Sequence, residues 1–540
     1  MEESMRRISF EAIFLGMFSY ISVVSAQVAV TTYHNDNARS GLNYQETILT
    51  HANVNATSFG KLFTYAVDGQ IYAQPLYVPG VTIAGKGTHN VVYVATENDS
   101  VYAFDADSNT SANASPLWQV AFANSANGVI AVPSSDTSCG NITPQIGITS
   151  TPVIDQKSGT LYTIAKTKET SGTTVHYVQR LHALDISSGA EKFAPVVIEA
   201  AVPGTCYPND NGRVIFSALR QNQRAGLVLY NGIIVAAWAS NCDNNPYTGW
   251  VMAFDASTGK QLAVFNDAPD MGVVSYECRG GIWQSGAAPA VDTDGNMFVA
   301  TGNGYFNGNT DGGLDFSDTV LKLTLTKPAF TIADYFTPSN QETLDNEDLD
   351  LGSAGVMVLP DQPGPNPHLL AAAGKEGTLY LLNRDDLGKY NPAGDTQIVQ
   401  ELPNAVGGVW GTCAYHGGSV YWGGSGDSLK AFTLSNGLFG TSPTSKTKHV
   451  FGSPGTTASV SANNDNNGIV WALDIGAYGN GGPAVLHAFR ADNLAQELYN
   501  TTQNATRDQL GPAVKFTTPT IVNGKVYVGT GNSLAVLGLL

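Results

Sequence analysis

The chain has 540 residues, and its 27 basic and 45 acidic side chains give a formal net charge of −18. Only 13% of the residues are charged while 43% are hydrophobic, so the chain is too apolar to be disordered. A nucleic-acid-binding protein needs a clustered basic surface to neutralise phosphates, and this acidic, charge-poor chain does not supply one. We therefore expect a globular protein with a large core and no nucleic-acid partner.

The first residues have the features of a secretory signal peptide. Arg6 and Arg7 provide a positive start, residues 12–24 are mostly apolar, and Val24-Ser25-Ala26 provides a small-residue cleavage site. The apolar stretch is shorter than the ~20 residues that span a bilayer. The sequence thus predicts a signal peptide over residues 1–26 and a secreted or periplasmic mature protein without a transmembrane segment.

One supersecondary unit recurs eight times along the rest of the chain. A copy contains small residues, an apolar stretch, a tight turn, an apolar strand and, after a variable insertion, a strand that ends near Asp or Asn and Gly. The alternation in VYAFD, VMAFD and LKAFT predicts antiparallel strands rather than helices. Each copy has roughly 64 residues, more than the ~40–50 of a minimal propeller blade, so we expect long loops.

These copies predict an all-β fold, an eight-bladed β-propeller, whose radial closure protects the sheet edges. We assign residues 60–540 to this single domain and residues 27–59 to an N-terminal extension. Seven blades are the alternative, because two of the later copies are degenerate, and an open array of β-sandwiches is another. The strand-like residues 63–67 precede the first copy, and the chain ends on a strand, so we expect the N-terminal strand to complete the ring.

Four stretches in the third to fifth copies stand out: Gly280-Gly281-Ile282-Trp283; Ala300-Thr301-Gly302-Asn303; Glu347-Asp348-Leu349-Asp350, which follows Asp334-Tyr335-Phe336-Thr337-Pro338; and Ala373-Gly374-Lys375-Glu376-Gly377-Thr378-Leu379-Tyr380. Together with the YVxTxxGxVxAxD character of the repeats, they resemble the pyrroloquinoline quinone (PQQ) alcohol dehydrogenase-like propellers. The general resemblance covers nearly the whole mature chain. It implies a small-ligand site in the central funnel, with PQQ and calcium as expected cofactors and an alcohol or sugar as the substrate.

The resemblance also implies roles for individual residues. Trp283 corresponds to the floor of the cofactor pocket, and an indole can stack on a planar quinone. Asn303 corresponds to a calcium ligand, since calcium prefers six to eight oxygen donors. Asp348 or Asp350 corresponds to the catalytic carboxylate, whose burial raises its pKa so that it can accept the alcohol proton. Lys375 corresponds to the basic residue that contacts the quinone oxygens and stabilises the charge formed on reduction.

The chain departs from the family pattern at two places. Family enzymes commonly carry a vicinal disulfide beside the cofactor, whereas the matching Ser138-Cys139-Gly140 has a single cysteine, which we still assign to the cofactor pocket. The family's calcium-binding Glu is replaced within Asn241-Cys242-Asp243-Asn244, so we expect Asp243 or Asn244 to bind the metal. Because no CxxCH motif occurs, we expect no haem and an external electron carrier.

The five cysteines lie far apart in the sequence, without the CxxC spacing of metal clusters. In an oxidising compartment we expect one or two disulfides that brace long loops, for instance among Cys206, Cys242 and Cys278. The pairing stays open, and an odd number of cysteines leaves one thiol unpaired.

Each site residue also has a purely structural interpretation. Trp283 suits core packing between blades, and Asn303 suits a turn with left-handed backbone. The acidic run around Asp348 suits a solvated loop that binds calcium without catalysis, and Lys375 suits a hairpin.

Two classes of function follow from the sequence. The first is an exported PQQ-dependent dehydrogenase of a small alcohol or sugar, with calcium. The second is a non-catalytic propeller resembling outer-membrane assembly factors, which would hold a protein or polysaccharide partner. The fold by itself does not choose between them.

Overall fold

Apolar strands joined by tight turns dominate the computed structural model, which describes residues 27–270 and 278–540. The predicted signal peptide lies outside the described residues. Several strand pairs are joined by Asn-Gly turns, and at Asn523-Gly524 both residues have a left-handed backbone, with φ values of 50° and 80°. That geometry is the type I′ turn, whose twist matches the twist of the two strands it connects.

Within the described residues, eight sheets, here called blades 1 to 8, each contain a four-stranded antiparallel meander and follow the eight sequence copies in order. In sheet order, blades 1 to 4 contain Leu76–Ile83, Gly87–Ala95, Ser100–Asp105 and Trp118–Ala121; Val153–Asp155, Thr160–Ser171, Thr174–Asp185 and Val196–Val197; Val228–Tyr230, Ile233–Ser240, Trp250–Asp255 and Gln261–Asn266; and Ala290–Val291, Met297–Ala300, Val320–Leu325 and Phe330–Thr337. Blades 5 to 8 contain Met357–Val358, Leu369–Ala373, Leu379–Asn383 and Gln400–Leu402; Ala414–His416, Ser419–Gly423, Asp427–Ser435 and Ser445–Phe451; Ser459–Asn463, Asn466–Asp474, Val485–Arg490 and Asn493–Asn500; and Thr520–Val522, Lys525–Gly529, Ser533–Leu539 and Phe59–Ala66.

Further short strands extend some blades: Val129–Pro133 and Gln145–Ile146 in blade 2, Gln221–Asn222 in blade 3, Lys389–Tyr390 in blade 4, Leu438–Phe439 in blade 6 and Leu42–Asn43 in blade 7. A separate three-stranded sheet is formed by Ala201–Pro203, Asn209–Asp210 and Arg213–Ile215. Short α-helices cover Ser134–Thr137, Gln341–Asn346 and Ala505–Asp508. Single 3₁₀ turns cover Ser111–Ala114, Ser125–Asn127, Asn241–Asp243, Gln284–Gly286, Leu351–Ser353 and Gly476–Asn480.

Apolar side chains between neighbouring blades hold the ring together. Each hydrophobic cluster combines residues from two successive blades, as Val91 of blade 1 and Leu161 of blade 2 do. The series closes on itself, because Val536 of blade 8 and Val92 of blade 1 share another cluster. Each fully buried Val or Leu side chain contributes about 1.5–3 kcal/mol. The predicted all-β propeller is confirmed.

The ring is closed by strands from both ends of the described chain. Phe59–Ala66 pairs antiparallel with Ser533–Leu539, with Phe63 opposite Val536. The expectation that an N-terminal strand completes the last sheet is confirmed.

Residues 30–46, here called the axial segment, cross one end of the ring. The segment bonds to the first strand of every blade: Val30 to Tyr77, Thr31 to Ile154, Asn37 to Leu229 and Val291, Ala38 to Val358, Ser40 to Tyr415, Gly41 to Val460 and Asn43 to Ile521. Because one short segment reaches all eight first strands, these strands surround the ring axis. The segment therefore closes the channel at this depth.

Two buried side chains stabilise the axial segment. The Arg39 guanidinium, fully buried, donates to Pro289 O at 3.0 Å and to Thr32 Oγ1 at 2.9 Å. The imidazole of His34 lies within hydrogen-bonding distance of Ala458 O, at 2.8 Å. No helix in the described part of the chain is long and apolar enough to cross a membrane.

Candidate functional site

A cavity of about 270 Å³ lies where loops lead into the first strands of the blades. Its walls come from loops of blades 2 to 8 and include five residues named from the sequence: Cys139, Asp243, Trp283, Asp348 and Lys375. Its volume is just below the about 300–1,000 Å³ typical of ligand pockets. Residues that are more than 200 positions apart in the sequence thus line the same cavity.

A buried ion pair forms part of this site. The Asp350 carboxylate is fully buried, and the Lys375 ammonium contacts its Oδ2 while lying 2.9 Å from Asp348 Oδ1. Burial raises the pKa of Asp350, although Lys375 and the Asn303 N–H, which donates to Oδ1 at 2.8 Å, oppose that rise. Burial alone acts to lower the pKa of Lys375, but the carboxylates of Asp350 and Asp348 outweigh it and raise that pKa.

Two glycines make this close approach of Asp350 possible. A Cβ atom at Gly302 would lie 2.6 Å from Asp350 Oδ1, and one at Gly374 would lie 2.6 Å from Asp350 O. Such distances are far below van der Waals contact, so any larger residue would push the Asp350 loop away. The glycines of the Thr301-Gly302-Asn303 and Gly374-Lys375 stretches are therefore part of the site's construction.

Asn303 connects the acidic residues to a buried tyrosine. Its Nδ2 donates to Asp348 Oδ1 at 3.0 Å, and its Oδ1 accepts a hydrogen bond from the Tyr247 hydroxyl at 3.1 Å. Asn303 is not left-handed, so that structural interpretation of the residue is wrong. Asn303 therefore contributes to the site through the hydrogen bonds of its side chain and not through a left-handed backbone conformation.

Oxygen atoms of the kind that bind calcium lie beside the Asp350–Lys375 ion pair. Asp243 and Asn303 line an adjoining cavity of about 300 Å³ with Tyr247. Desolvation in the cavity and the nearby Asp350 charge raise the pKa of Asp243 to about 6. A hard divalent cation would relieve this repulsion and prefers such oxygen ligands. Asp243 and Asn303 therefore supply oxygen donors of the kind that calcium binds.

Asn244, the alternative metal ligand, makes different contacts. Its Nδ2 donates to Thr137 O and to Ser138 O, both at 3.2 Å. The Asn244 amide thus holds the loop that carries Cys139. Its role as a calcium ligand stays a prediction.

A disulfide forms part of the cavity wall, although it is not vicinal. Cys139 and Cys242 are bonded across 103 positions, and both line the cavity. The second disulfide joins Cys206 and Cys278, while Cys413 is free and buried. The expected pairing among Cys206, Cys242 and Cys278 is thus confirmed for one pair, and the unpaired thiol is Cys413. The lone cysteine of the 138–140 stretch finds its partner in the neighbouring blade.

Trp283 lies at the end of a tightly held turn. The Asp267 carboxylate accepts a hydrogen bond from the Gly281 N–H at 2.8 Å, which orients the residues leading to Trp283. The indole lines the cavity, with Arg224 Cζ at 5.5 Å and Lys375 Nζ at 5.8 Å from its ring. Its Nε1 donor is buried without a protein acceptor. Such a donor is available to a ligand.

The sequence interpretation missed the cationic and aromatic residues opposite the acids. Arg224 stacks on Phe516, with 4.0 Å from Cζ to the ring centroid, and its Nη2 is buried without an acceptor. Burial lowers the pKa of Arg224 to about 10, and burial together with Arg224 lowers that of Lys515 to about 8. Trp410 also lines the cavity. This side of the cavity therefore favours an anion.

A positional signal in the repeats marks these residues. Arg224, Trp410 and Phe516 each lie four residues before the first strand of their blade. Gly408-Val409-Trp410 also repeats the order of Gly281-Ile282-Trp283. Arg224, Trp410 and Phe516 thus occupy one position of the repeat, whereas Trp283 lies seven residues before Ala290 and shares only the local motif with Trp410.

Solved structures share this architecture. The chain is similar to quinohemoprotein alcohol dehydrogenase from Comamonas testosteroni, with TM-score 0.61, 14% identity, and coverage of 95% of this chain and 80% of that one. Quinohemoprotein alcohol dehydrogenase ADHIIG from Pseudomonas putida HK5 gives TM-score 0.60 and 13% identity, with the same coverage. BamB from Moraxella catarrhalis aligns more loosely, with TM-score 0.45, 13% identity, and coverage of 89% of this chain and 97% of that one.

No protein-family model and no curated protein matches the sequence. The structural similarity to the two dehydrogenases extends over nearly the whole chain. At this low sequence identity it supports a shared fold and not a shared reaction. The chain therefore has the β-propeller fold of the quinohemoprotein alcohol dehydrogenases.

Proposed function

We propose that the cavity binds PQQ together with calcium, and that the protein is an exported oxidoreductase acting on an alcohol or a sugar. The observation that carries this proposal is that Trp283 of blade 4 and Lys375 of blade 5 line one cavity, with the buried Asp350 paired to Lys375 directly behind the cavity wall. A binding scaffold has no need of a fully buried carboxylate paired with an ammonium beside its central cavity.

The lining of the cavity supports a planar, anionic ligand. Trp283, Trp410 and Phe516 provide flat apolar surfaces. Arg224 and Lys515 provide positive charge, and the Trp283 Nε1 and Arg224 Nη2 atoms are buried donors without acceptors. PQQ, a planar quinone that carries carboxylates, matches this combination of rings, cations and free donors. The Cys139–Cys242 disulfide adds a further apolar surface.

In the proposed reaction Asp350 acts as the base that accepts the hydroxyl proton of the substrate. Its raised pKa, caused by burial, makes it a better proton acceptor than an exposed carboxylate. Lys375 favours the ionised form of Asp350 and stabilises negative charge nearby. Asp348, which is exposed, shares the ammonium and positions it. When bound, PQQ would supply the hydride acceptor, and calcium, held by Asp243 and Asn303, would supply a Lewis acid.

The first experiment tests cofactor binding. We expect PQQ with calcium chloride to quench the tryptophan fluorescence of the purified full-length protein in a saturable manner, and an alcohol or sugar then to reduce a dye acceptor. Trp283→Phe should reduce the quenching, and Trp283→Phe with Trp410→Phe should remove most of it, because both indoles line the cavity. Lys375→Ala should reduce turnover far more than cofactor affinity.

Trp118→Phe is the matched control, because Trp118 lies in the fourth strand of blade 1 and its substitution should leave the quenching unchanged. Absence of quenching in the wild-type protein would overturn the proposal. The scaffold for a protein or polysaccharide partner would then be the better description. Quenching without dye reduction would overturn only the enzymatic part.

A further inference from the structure

A cluster of histidine and carboxylate side chains lies between blades 6 and 7, in segments of the chain that do not line the central cavity. His449 belongs to the fourth strand of blade 6, whereas Asp474 and His487 belong to the second and third strands of blade 7. One potential ligand atom from each residue lies within 4.8 Å of the other two. The rings of His449 and His487 stack, with 4.3 Å between centroids, and His449 Nε2 lies 2.9 Å from Asp474 Oδ2.

The hydrogen bonds prepare His487 to act as a ligand. Its Nδ1 lies 2.6 Å from Glu497 Oε1, so the proton on this nitrogen is held by a carboxylate. Its Nε2 is buried and has no hydrogen-bond partner, and only 5% of the residue is exposed. A carboxylate on one ring nitrogen and a free lone pair on the other are the arrangement of metal-ligating histidines. Phe451 and Phe489 provide an apolar surround.

The repeat contains an internal comparison. In blade 2, His182 occupies the same Leu-His-Ala context as His487, and its Nδ1 lies 2.6 Å from Glu191. There the stacking partner is Phe122, at 3.7 Å between centroids, and not a histidine. A His–Glu pair beside an aromatic ring thus recurs in blades 2 and 7. Only the blade 7 version replaces that ring with an imidazole and adds Asp474.

We propose that His449, Asp474 and His487 form a zinc site that joins blade 6 to blade 7. Two imidazole nitrogens and one carboxylate are ligands that zinc accepts, with a water molecule at the fourth position. Zn–N bonds of about 2.0–2.1 Å place tetrahedral ligands about 3.3 Å apart, so small side-chain rotations close the site. Glu497 orients His487 through the hydrogen bond to its Nδ1 and does not bind the metal itself. Calcium is a poor occupant, because it prefers oxygen ligands.

Zinc titration of the EDTA-treated, dialysed full-length protein tests the proposal. We expect isothermal titration calorimetry with zinc chloride to show one equivalent bound, accompanied by a rise in Tm. His449→Phe, which reproduces the blade 2 arrangement, and Asp474→Asn should each abolish this equivalent. Glu497→Gln should weaken it about 10–100-fold. Cobalt substitution should give the visible absorption bands of a tetrahedral site in the wild type and not in His449→Phe.

His182→Asn is the matched control, since it removes the histidine of the blade 2 pair and should leave zinc binding unchanged. Circular dichroism of His449→Phe shows whether the variant is folded. The proposal is overturned if the wild type takes up no zinc, or if His449→Phe and Asp474→Asn both keep the full equivalent. The titration contains no PQQ or calcium, so its result is independent of the function proposed for the central cavity.

Discussion

The charged side chains that line the cavity differ in how the neighbouring groups shift their pKa values. Lys375 has two carboxylate partners, so its charged form is favoured, whereas burial and the nearby Arg224 disfavour the charged form of Lys515. Both are lysines at the wall of one cavity. The same residue type therefore stabilises the protein at one position and destabilises it at the other.

We expect Lys375→Met to lower the free energy of unfolding at pH 7 by about 3–5 kcal/mol, because it leaves Asp350 buried without its counter-charge. The folded-state pKa of Asp350 lies above its unfolded value, so the cost is absent at low pH and grows as pH rises. Urea unfolding at pH 5 and pH 7 should show the larger loss at pH 7. The double variant with Asp350→Asn should recover much of the stability. An equal loss at both pH values would contradict the buried ion pair.

We expect the opposite sign for Lys515→Met, which should leave stability unchanged or raise it at pH 7. The pKa of Lys515 is lowered to about 8, so charging it costs stability below pH 8, and this cost fades as pH rises from about 8 towards the unfolded value near 10.4. Any gain in the variant should therefore shrink above pH 8. The same lysine favours an anionic ligand, so the variant should bind PQQ more weakly. Thermal unfolding at pH 7 and pH 10, with PQQ titration, checks both points.

Among the structural elements, two loops connected by the Cys139–Cys242 disulfide carry part of the cavity wall. The loop of blade 3 contains Cys242 and Asp243, both with φ of 52°, a left-handed backbone that non-glycine residues adopt at a cost. The disulfide and the Asn244 side chain keep this loop against that of blade 2. The position of Asp243, the proposed calcium ligand, therefore depends on a cross-link between blades.

We expect the double variant Cys139→Ala/Cys242→Ala to lose about 2–4 kcal/mol of stability, because a long loop is no longer closed in the unfolded chain. It should also bind calcium and PQQ more weakly, because the Asp243 loop is released. Removal of the Cys206–Cys278 disulfide is the matched control, since neither cysteine lines the cavity. That variant should lose comparable stability and keep its ligand affinity. Equal affinity losses in the two variants would show that the first disulfide has no special role.

At the scale of the whole molecule, the axial segment connects all eight blades around one axis. Each of its hydrogen bonds contributes about 0.5–1.5 kcal/mol, and the total stability of a protein is about 5–15 kcal/mol. The bonds to eight first strands are therefore comparable with the whole free energy of folding.

We expect deletion of residues 27–46 to abolish the cooperative thermal transition, although the closing strand Phe59–Ala66 remains. Asn37→Ala, which removes the hydrogen bond to Leu229 O and a long one from Arg39 Nη2, should cost only about 1 kcal/mol. Differential scanning calorimetry of the two variants measures the contrast. A synthetic peptide of residues 27–46, added to the truncated protein, should restore part of the transition. An unchanged Tm in the truncated protein would show that ring closure alone stabilises the propeller.

Local sequence patterns were sufficient to predict the fold and many residues of the proposed site. Two-residue alternation and recurrent turns identify antiparallel sheets wherever they occur, and their repetition indicates a ring, because each sheet needs neighbours on both faces. Trp283, Asn303 and Lys375 were recognised from short motifs, and Gly302 within one of them leaves room for Asp350. Each of these motifs consists of a few consecutive residues, so it can be read directly from the sequence.

Only the tertiary structure decided which distant residues meet. Cys139 pairs with Cys242 across 103 positions, Arg224 stacks on Phe516 from blade 8, and His449 reaches His487 from the preceding blade. The sequence by itself determined the sheets, since strand formation depends on neighbouring residues. It did not determine these contacts, because they depend on the angle between blades and the path of each loop, which arise from packing around the whole ring.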